Sequence, residues 1–169
     1  YRGPQKIHLL FFRKIMLSKI ELREKNTRFW NEFKSYMSSD RSSNGKKMNW
    51  LNYPTDIKYI FLRLEADKFG ARINFDIQAK DAGVREVIWE QMQELKKVLT
   101  DAMGDPGTWI FDYSTDEVHA FSRIQWETTD VNFFVEDDKE KIFNFFREKL
   151  VGFDEFYQNF KEILILLVK

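Results

Sequence analysis

Strict alternation runs through residues 71–80. Ala71, Ile73, Phe75, Ile77 and Ala79 fall on one side, and Arg72, Asn74, Asp76, Gln78 and Lys80 on the other. A period of two assigns these sets to opposite faces of a strand. The run before it, 57–66, reads as the other arm of a hairpin that turns at Lys68, Phe69 and Gly70. One face of that hairpin belongs to a core. The other carries a row of polar and ionisable groups, where any function of the sheet is expected. A second alternation covers 118–128. Val118, Ala120, Ser122, Ile124 and Trp126 share one face; His119, Phe121, Arg123, Gln125 and Glu127 share the other. With 108–113, and a turn at Ser114, Thr115 and Asp116, it makes a second hairpin.

Between and around the hairpins the apolar spacing becomes helical. Leu22, Phe29, Trp30, Phe33, Tyr36 and Met37 form a stripe over 18–37, and Ser18 to Glu21 has the S-x-x-E form of a capping box. Residues 38–56 are rich in Ser, Asn, Gly and Lys and predict a long loop, tacked down by Trp50, Leu51 and Tyr53. Asp81 caps a helix over 82–103. Its stripe is Val84, Ile88, Met92, Leu95 and Leu99, widened by Val87 and Val98; Gly104 and Pro106 stop it. Asp137 or Asp138 opens a helix carrying Ile142, Phe143, Phe146 and Leu150, which Gly152 is expected to interrupt. A last helix over 154–167 carries Phe156, Phe160, Ile163, Leu164 and Leu167. The order α-β-β-α-β-β-α(α) contains two similar ββα units. It predicts one α+β domain: a four-stranded, mainly antiparallel sheet with helices packed on one face.

Composition narrows the class. The 17 Phe and 5 Trp supply a large aromatic core, and 169 residues suit one domain. The count of 0 Cys excludes disulfides, thiolate metal sites and Cys nucleophiles, and fits a reducing cytoplasm. No run reaches the ~18 apolar residues of a membrane span, so no membrane association is expected. Charge is uneven. Residues 1–48 hold 12 Lys and Arg against 4 Asp and Glu, and the remainder is equally acidic, so the whole chain has net charge +0. The chain opens at Tyr1, and Met16 stands directly before the Ser18 box. Residues 1–15 therefore read as an upstream extension and 16–169 as the domain. Part of the basic signal, Arg2, Lys6, Arg13 and Lys14, lies in that extension.

Several stretches together resemble a bacterial family known as domain-of-unknown-function family 4268 (DUF4268). They are FWNEFKSYM at 29–37, NWLNY at 49–53, the hairpin IFLRLEADKFGARINFDIQAKD, ELKKVL at 94–99 and SRIQWE at 122–127. An FF..F..DEF pattern near the C-terminus also fits. The resemblance runs from about Met16 to the end and supports Met16 as the natural start. It implies the α+β fold and a bacterial cytoplasmic setting, and no established activity. Related domains are sometimes joined to nuclease-like regions, which raises nucleic acid as a partner by association only.

Two chemistries fit the polar rows. In the first, the sheet face is a non-enzymatic binding surface built from Arg63, Arg72, Lys80, His119 and Arg123, with Trp50 at its border and Tyr59, Phe61 and Phe121 interleaved. Aromatics among arginines on an open sheet can stack bases, or meet a protein partner. In the second, Glu65, Asp76 and Lys80 form a divergent Mg²⁺-dependent nuclease site, although Gln78 stands where a second strand carboxylate would be wanted. The ordinary alternative to both is a solvated face with cross-strand ion pairs from Arg63 or Arg72 to Glu65 or Asp76. Neither phosphate-cradling glycine motif occurs, and with His8 and His119 the only histidines, a His-based metal site or triad is not expected. No cofactor is expected. Surplus apolar surface on the last helix would allow a homodimer.

Overall fold

The computed structural model describes residues 3–115 and 118–169, and the side chains of 7–10, 18–114 and 119–169. The expected turn residue Asp116, Arg2, and the side chains of Val118, Met16, Lys6, Arg13 and Lys14 lie outside these described residues. Backbone contacts divide the chain into two compact units, 1–38 and 39–169.

The first unit is a helix, α1 (Gly3–Tyr36). It does not start at the Ser18 box as the capping pattern predicts. Pro4 sits in the first turn, where a missing N–H is harmless, and neither Gly nor Pro follows before Tyr36, so nothing stops the helix from running through Ser18. Phe29, Phe33 and Met37 are buried, whereas Leu22 on the same stripe is exposed.

The second unit is the α+β body. Its elements are β1 (Ile60–Asp67), β2 (Gly70–Ile77), α2 (Ala82–Glu94), α3 (Lys96–Met103), β3 (Thr108–Thr115), β4 (Val118–Thr128), a 3₁₀ turn (Glu136–Asp138) and α4 (Lys139–Leu167). The sheet is antiparallel throughout, in the order β1-β2-β4-β3. Its apolar face carries Ile73, Phe75, Ile77, Ile124 and Trp126, all buried, and α2 and α4 pack against it. Phe75 meets Phe153 of α4 with ring centroids 5.7 Å apart, and Trp89 of α2 meets Trp109 and Phe111 of β3 edge-on.

Two helical expectations are corrected. The helix over 82–103 is broken at Leu95, which leaves the helical basin (φ −91°, ψ 3°) and shares its N–H between the carbonyls of Gln91 and Met92. Leu99 and Met103 of α3 are buried, whereas Val87 and Val98 are exposed instead of widening the stripe. Conversely, Gly152 does not interrupt α4. A Cβ at Gly152 would lie 2.4 Å from the Ala102 carbonyl oxygen of α3, so glycine marks a point of close helix approach. Beside it, Lys149 Nζ donates to Met103 O at 2.7 Å and to Asp105 Oδ2 at 2.8 Å, capping the end of α3.

The loop before β1 is more ordered than its composition predicts. Arg41 bridges Lys47 around a tight turn, and Trp50 and Tyr53 are buried. Asp81 caps α2 as expected, accepting from the N–H groups of Gly83 and Val84, and Gly104 ends α3 in the left-handed conformation.

Candidate functional site

The strand register places the polar side chains in rows across the sheet. Phe61, Asp76, Arg123 and Ile110 form one row; Arg63, Asn74, Gln125 and Thr108 the next; Glu65, Arg72 and Glu127 a third. Alternation alone made this face a solvated row. The structure corrects that for its centre: Asn74 and Asp76 are both 0% exposed, and Arg123 is 7% exposed. The short side chains lie beneath the long ones of neighbouring strands.

Asp76 organises the centre. Arg123 Nε donates to its Oδ1 at 2.7 Å and Nη2 to its Oδ2 at 2.9 Å, a bidentate pair. Arg63 Nη1 donates to the same Oδ2 at 2.8 Å, and Arg63 Nη2 to Gln78 Oε1 at 3.1 Å. Burial disfavours the charge on Arg123, but hydrogen bonding and attraction to Asp76 outweigh it and raise its pKa. Each guanidinium also lies on an aromatic face: Arg63 sits 4.3 Å from the centroid of Phe61, and Arg123 4.3 Å from Tyr113 and 5.1 Å from Phe121.

Tyr113 reaches this face through a β-bulge. Ile110 pairs with Arg123 and Tyr113 with Phe121, so β3 carries one residue more than β4 between those pairs. Arg85 and Ser122 both donate to the carbonyl of Phe111 within the bulge, at 2.6 Å each.

Arg72 forms a second cluster. It donates to Glu65 at 3.0 Å, to Glu127 at 3.3 Å and to Asp67. Burial works against the Asp67 charge, but the Phe69 N–H and Arg72 hold its carboxyl below the usual carboxylate range. Across both clusters, three arginines (63, 72 and 123) face four carboxylates (Glu65, Asp67, Asp76 and Glu127). The arginines therefore present no surplus of positive charge.

The sequence-derived binding residues are brought together only in part. Arg63, Arg72 and Arg123 share the face. Lys80 and His119 are exposed and line, with Gln78 and Phe121, a hollow of about 500 Å³ at one end of it. Trp50 is not at its border: it is 3% exposed, donates from Nε1 to Asp40 O at 3.1 Å and leans on Tyr53. An indole among so many apolar neighbours buries itself and keeps its one donor satisfied. Glu65, Asp76 and Lys80 do not converge. Both oxygens of Asp76 are occupied by guanidinium groups and Glu65 is held by Arg72. Among the described residues, no group of three or more His, Asp or Glu is placed to hold a metal ion.

Sequence reasoning missed a buried carboxylate on the other side of the sheet. Asp154 of α4 is 2% exposed. It accepts from Ser42 Oγ at 3.0 Å, Ser43 N–H at 2.7 Å, Tyr53 OH at 2.6 Å and Gln158 Nε2 at 3.3 Å. Burial first, then the bond to Asp154, pushes the Tyr53 phenol far up, and burial does the same to Tyr157, whose OH donates to Thr55 O. The cluster ties the loop before β1 to α4. One signal was present: Asp154 falls on the apolar stripe of Leu150, Phe153 and Tyr157, four residues after Leu150.

No helix of the described residues is long and apolar enough to cross a membrane. No curated protein and no solved structure matches the chain significantly. A family model does match, over residues 26–161, and on that match the chain belongs to the family described as domain of unknown function DUF4268.

Proposed function

We propose that the domain is a non-enzymatic binding module whose polar sheet face takes a protein partner. The observation that carries this reading is the locking of Arg63 and Arg123 on the buried Asp76, each against an aromatic ring. A guanidinium held this way loses little further freedom on binding. Arg and aromatic side chains are also the types that dominate protein interfaces. Phe61, 38% exposed beside Arg63, offers the apolar anchor. Nucleic acid is a weaker fit, because binding a polyanion draws on uncompensated positive charge and these arginines are already neutralised. A Mg²⁺-dependent nuclease fits less well still, since it needs free carboxylate oxygens where Asp76 has none to spare.

The test has two arms. Labelled single-stranded and duplex DNA and RNA are mixed with the protein, with Mg²⁺ or with EDTA, at low and moderate salt. The expected result is neither binding nor cleavage. Metal-dependent cleavage abolished by both Glu65→Gln and Asp76→Ala would replace this reading with the nuclease. In the second arm a photo-crosslinking residue replaces Phe61, or, as control, the exposed Val87 on α2. Cross-linking in expressing cells to a distinct protein from position 61 and not from 87 is expected. Equal labelling from both positions would count against a specific sheet-face site.

A further inference from the structure

β1 is an edge strand, and its ladder leaves a regular set of backbone groups facing outward. Gln78 N–H donates to Tyr59 O at 2.7 Å, which sets the phase of the β1–β2 pairing. Antiparallel bonds alternate, so Phe61, Arg63, Glu65 and Asp67 bond to β2, and Leu62, Leu64 and Ala66 turn their N–H and C=O groups away from it. Both ends of this outward row are closed. Ile60 N–H donates to Ile57 O at 3.1 Å, and Ile60 O accepts from Thr55 Oγ1 at 2.8 Å. At the far end the strand stops at the hairpin turn, where Asp67 bonds to β2 and its carbonyl also accepts from Phe133 N–H at 3.0 Å. Between them, the outward groups of Leu62, Leu64 and Ala66 have no hydrogen-bond partner among the described residues.

The opposite edge differs. β3 is irregular at two places in its register, and its bulge carbonyl is taken by Arg85 and Ser122. Such irregularity blunts an edge against further pairing. β1 is in unbroken register with β2 over all eight of its residues.

We propose that β1 pairs antiparallel with β1 of a second copy of this chain, about a two-fold axis at Leu64, joining two sheets into one. In that register Leu64 faces its own counterpart, and Leu62 faces the partner's Ala66. Every outward N–H and C=O of Leu62, Leu64 and Ala66 then finds a mate. The side chains agree with the backbone. Arg63 stands opposite the partner's Glu65, and Glu65 opposite the partner's Arg63, in the positions where cross-strand side chains come closest. Their side chains are 39% and 42% exposed, so both are reachable. Neighbouring registers fail. Centring on Ala66 sets Glu65 against the partner's Asp67. Centring on Leu62 sets Leu64 against the partner's Ile60, whose backbone groups are already engaged. The two-fold contact is isologous and closes at a dimer. It leaves the polar face open and doubles it.

Light scattering after gel filtration, with sedimentation velocity from micromolar to sub-millimolar protein, tests this. The wild type is expected to move from monomer to dimer over that range. Amide exchange at Leu62, Leu64 and Ala66 is expected to slow as concentration rises. Leu64→Pro deletes an outward N–H without touching the β1–β2 ladder, a change edge strands tolerate. Glu65→Lys sets like charge against the partner's Arg63, while Arg72 keeps Asp67 and Glu127. Each is expected to weaken the dimer at least tenfold; if circular dichroism shows Leu64→Pro unfolded, Glu65→Lys decides. A monomer at every concentration overturns the proposal. So does a dimer that Glu65→Lys leaves unchanged and Leu166→Lys, at the exposed end of α4, dissolves.

Discussion

Asp76 and Arg123 face each other across β2 and β4 with two nitrogen–oxygen contacts of 2.7 and 2.9 Å, and the carboxylate is wholly buried. A charge so placed is tolerable only while its partner remains. Asp76→Ala leaves Arg123 buried and uncompensated and is expected to lower stability by about 3 kcal/mol or more, read from urea unfolding. Replacing the pair together, Asp76→Leu with Arg123→Met, is expected to cost less than Asp76→Ala alone. If the single change is as mild as a surface substitution, the pair is not what holds the centre of this face.

Gly152 yields a prediction opposite to helix propensity. In an ordinary helix interior Gly→Ala stabilises by about 1 kcal/mol. Here the added methyl meets the Ala102 carbonyl, so Gly152→Ala must push α3 from α4. A loss of about 1–3 kcal/mol is expected. A gain in melting temperature would show that the two helices are not in close contact.

Asp154 is expected to act as the fastener of the loop before β1. Asp154→Ala strands the Ser42 and Tyr53 hydroxyls and the Ser43 N–H, at a cost of about 3 kcal/mol. The more specific readout is local. Trypsin cleavage after Arg41, Lys46 or Lys47 is expected to accelerate well beyond what the global stability loss explains. A cleavage rate unchanged from wild type would mean that the loop is held elsewhere.

Alkaline behaviour follows from the same cluster. The Tyr53 and Tyr157 phenols have pKa values raised by burial above the ordinary tyrosine value of about 10. Between the unfolded and folded pKa values the native state holds protons that the unfolded chain releases. Their contribution to stability is therefore complete below pH about 10 and falls as pH rises beyond it. Tyr53→Phe is expected to flatten part of that fall in urea midpoints. Tyrosinate absorbance rising fully before unfolding would contradict it.

The two alternating strands, the capped start of α2 at Asp81 and the stop at Gly104 could be read from residue order, because each rests on near neighbours. Gly152 and Leu95 are local signals of opposite strength, a strong breaker and a strong helix former, and neither decided its helix. Gly152 stays helical where α4 approaches the Ala102 carbonyl of α3, and a tightened turn interrupts the helix at Leu95. The Ser18 box likewise starts a helix only where the chain before it is not already helical. At the candidate site, alternation assigned Arg63, Arg72 and Arg123 to one face, since a strand's period fixes sidedness. Residue order did not show that Trp50, expected at the border of that face, and Asp76, expected in solvent, are both buried, because burial depends on neighbours far away in the chain.

Sidedness, the two hairpins and the fold class follow from the period of the apolar residues and the turns between them, which each short segment carries with it, whereas the pairing of β2 with β4 does not. The cross-strand pairs of Arg63 and Arg72 within the first hairpin were legible too, but the pairs that join β2 to β4, Asp76 with Arg123 and Arg72 with Glu127, were not, nor were the depth of Asp76 and the Asp154 fastener. Asp76 and Arg123 lie 47 positions apart, Arg72 and Glu127 55, and Ser42 and Asp154 112, so their distances are set only when the two hairpins join and α4 closes on the sheet. Electrostatic interactions fall off with separation and with solvent exposure. The charge a site offers is therefore decided by that closure and not by the count of Lys and Arg along the chain.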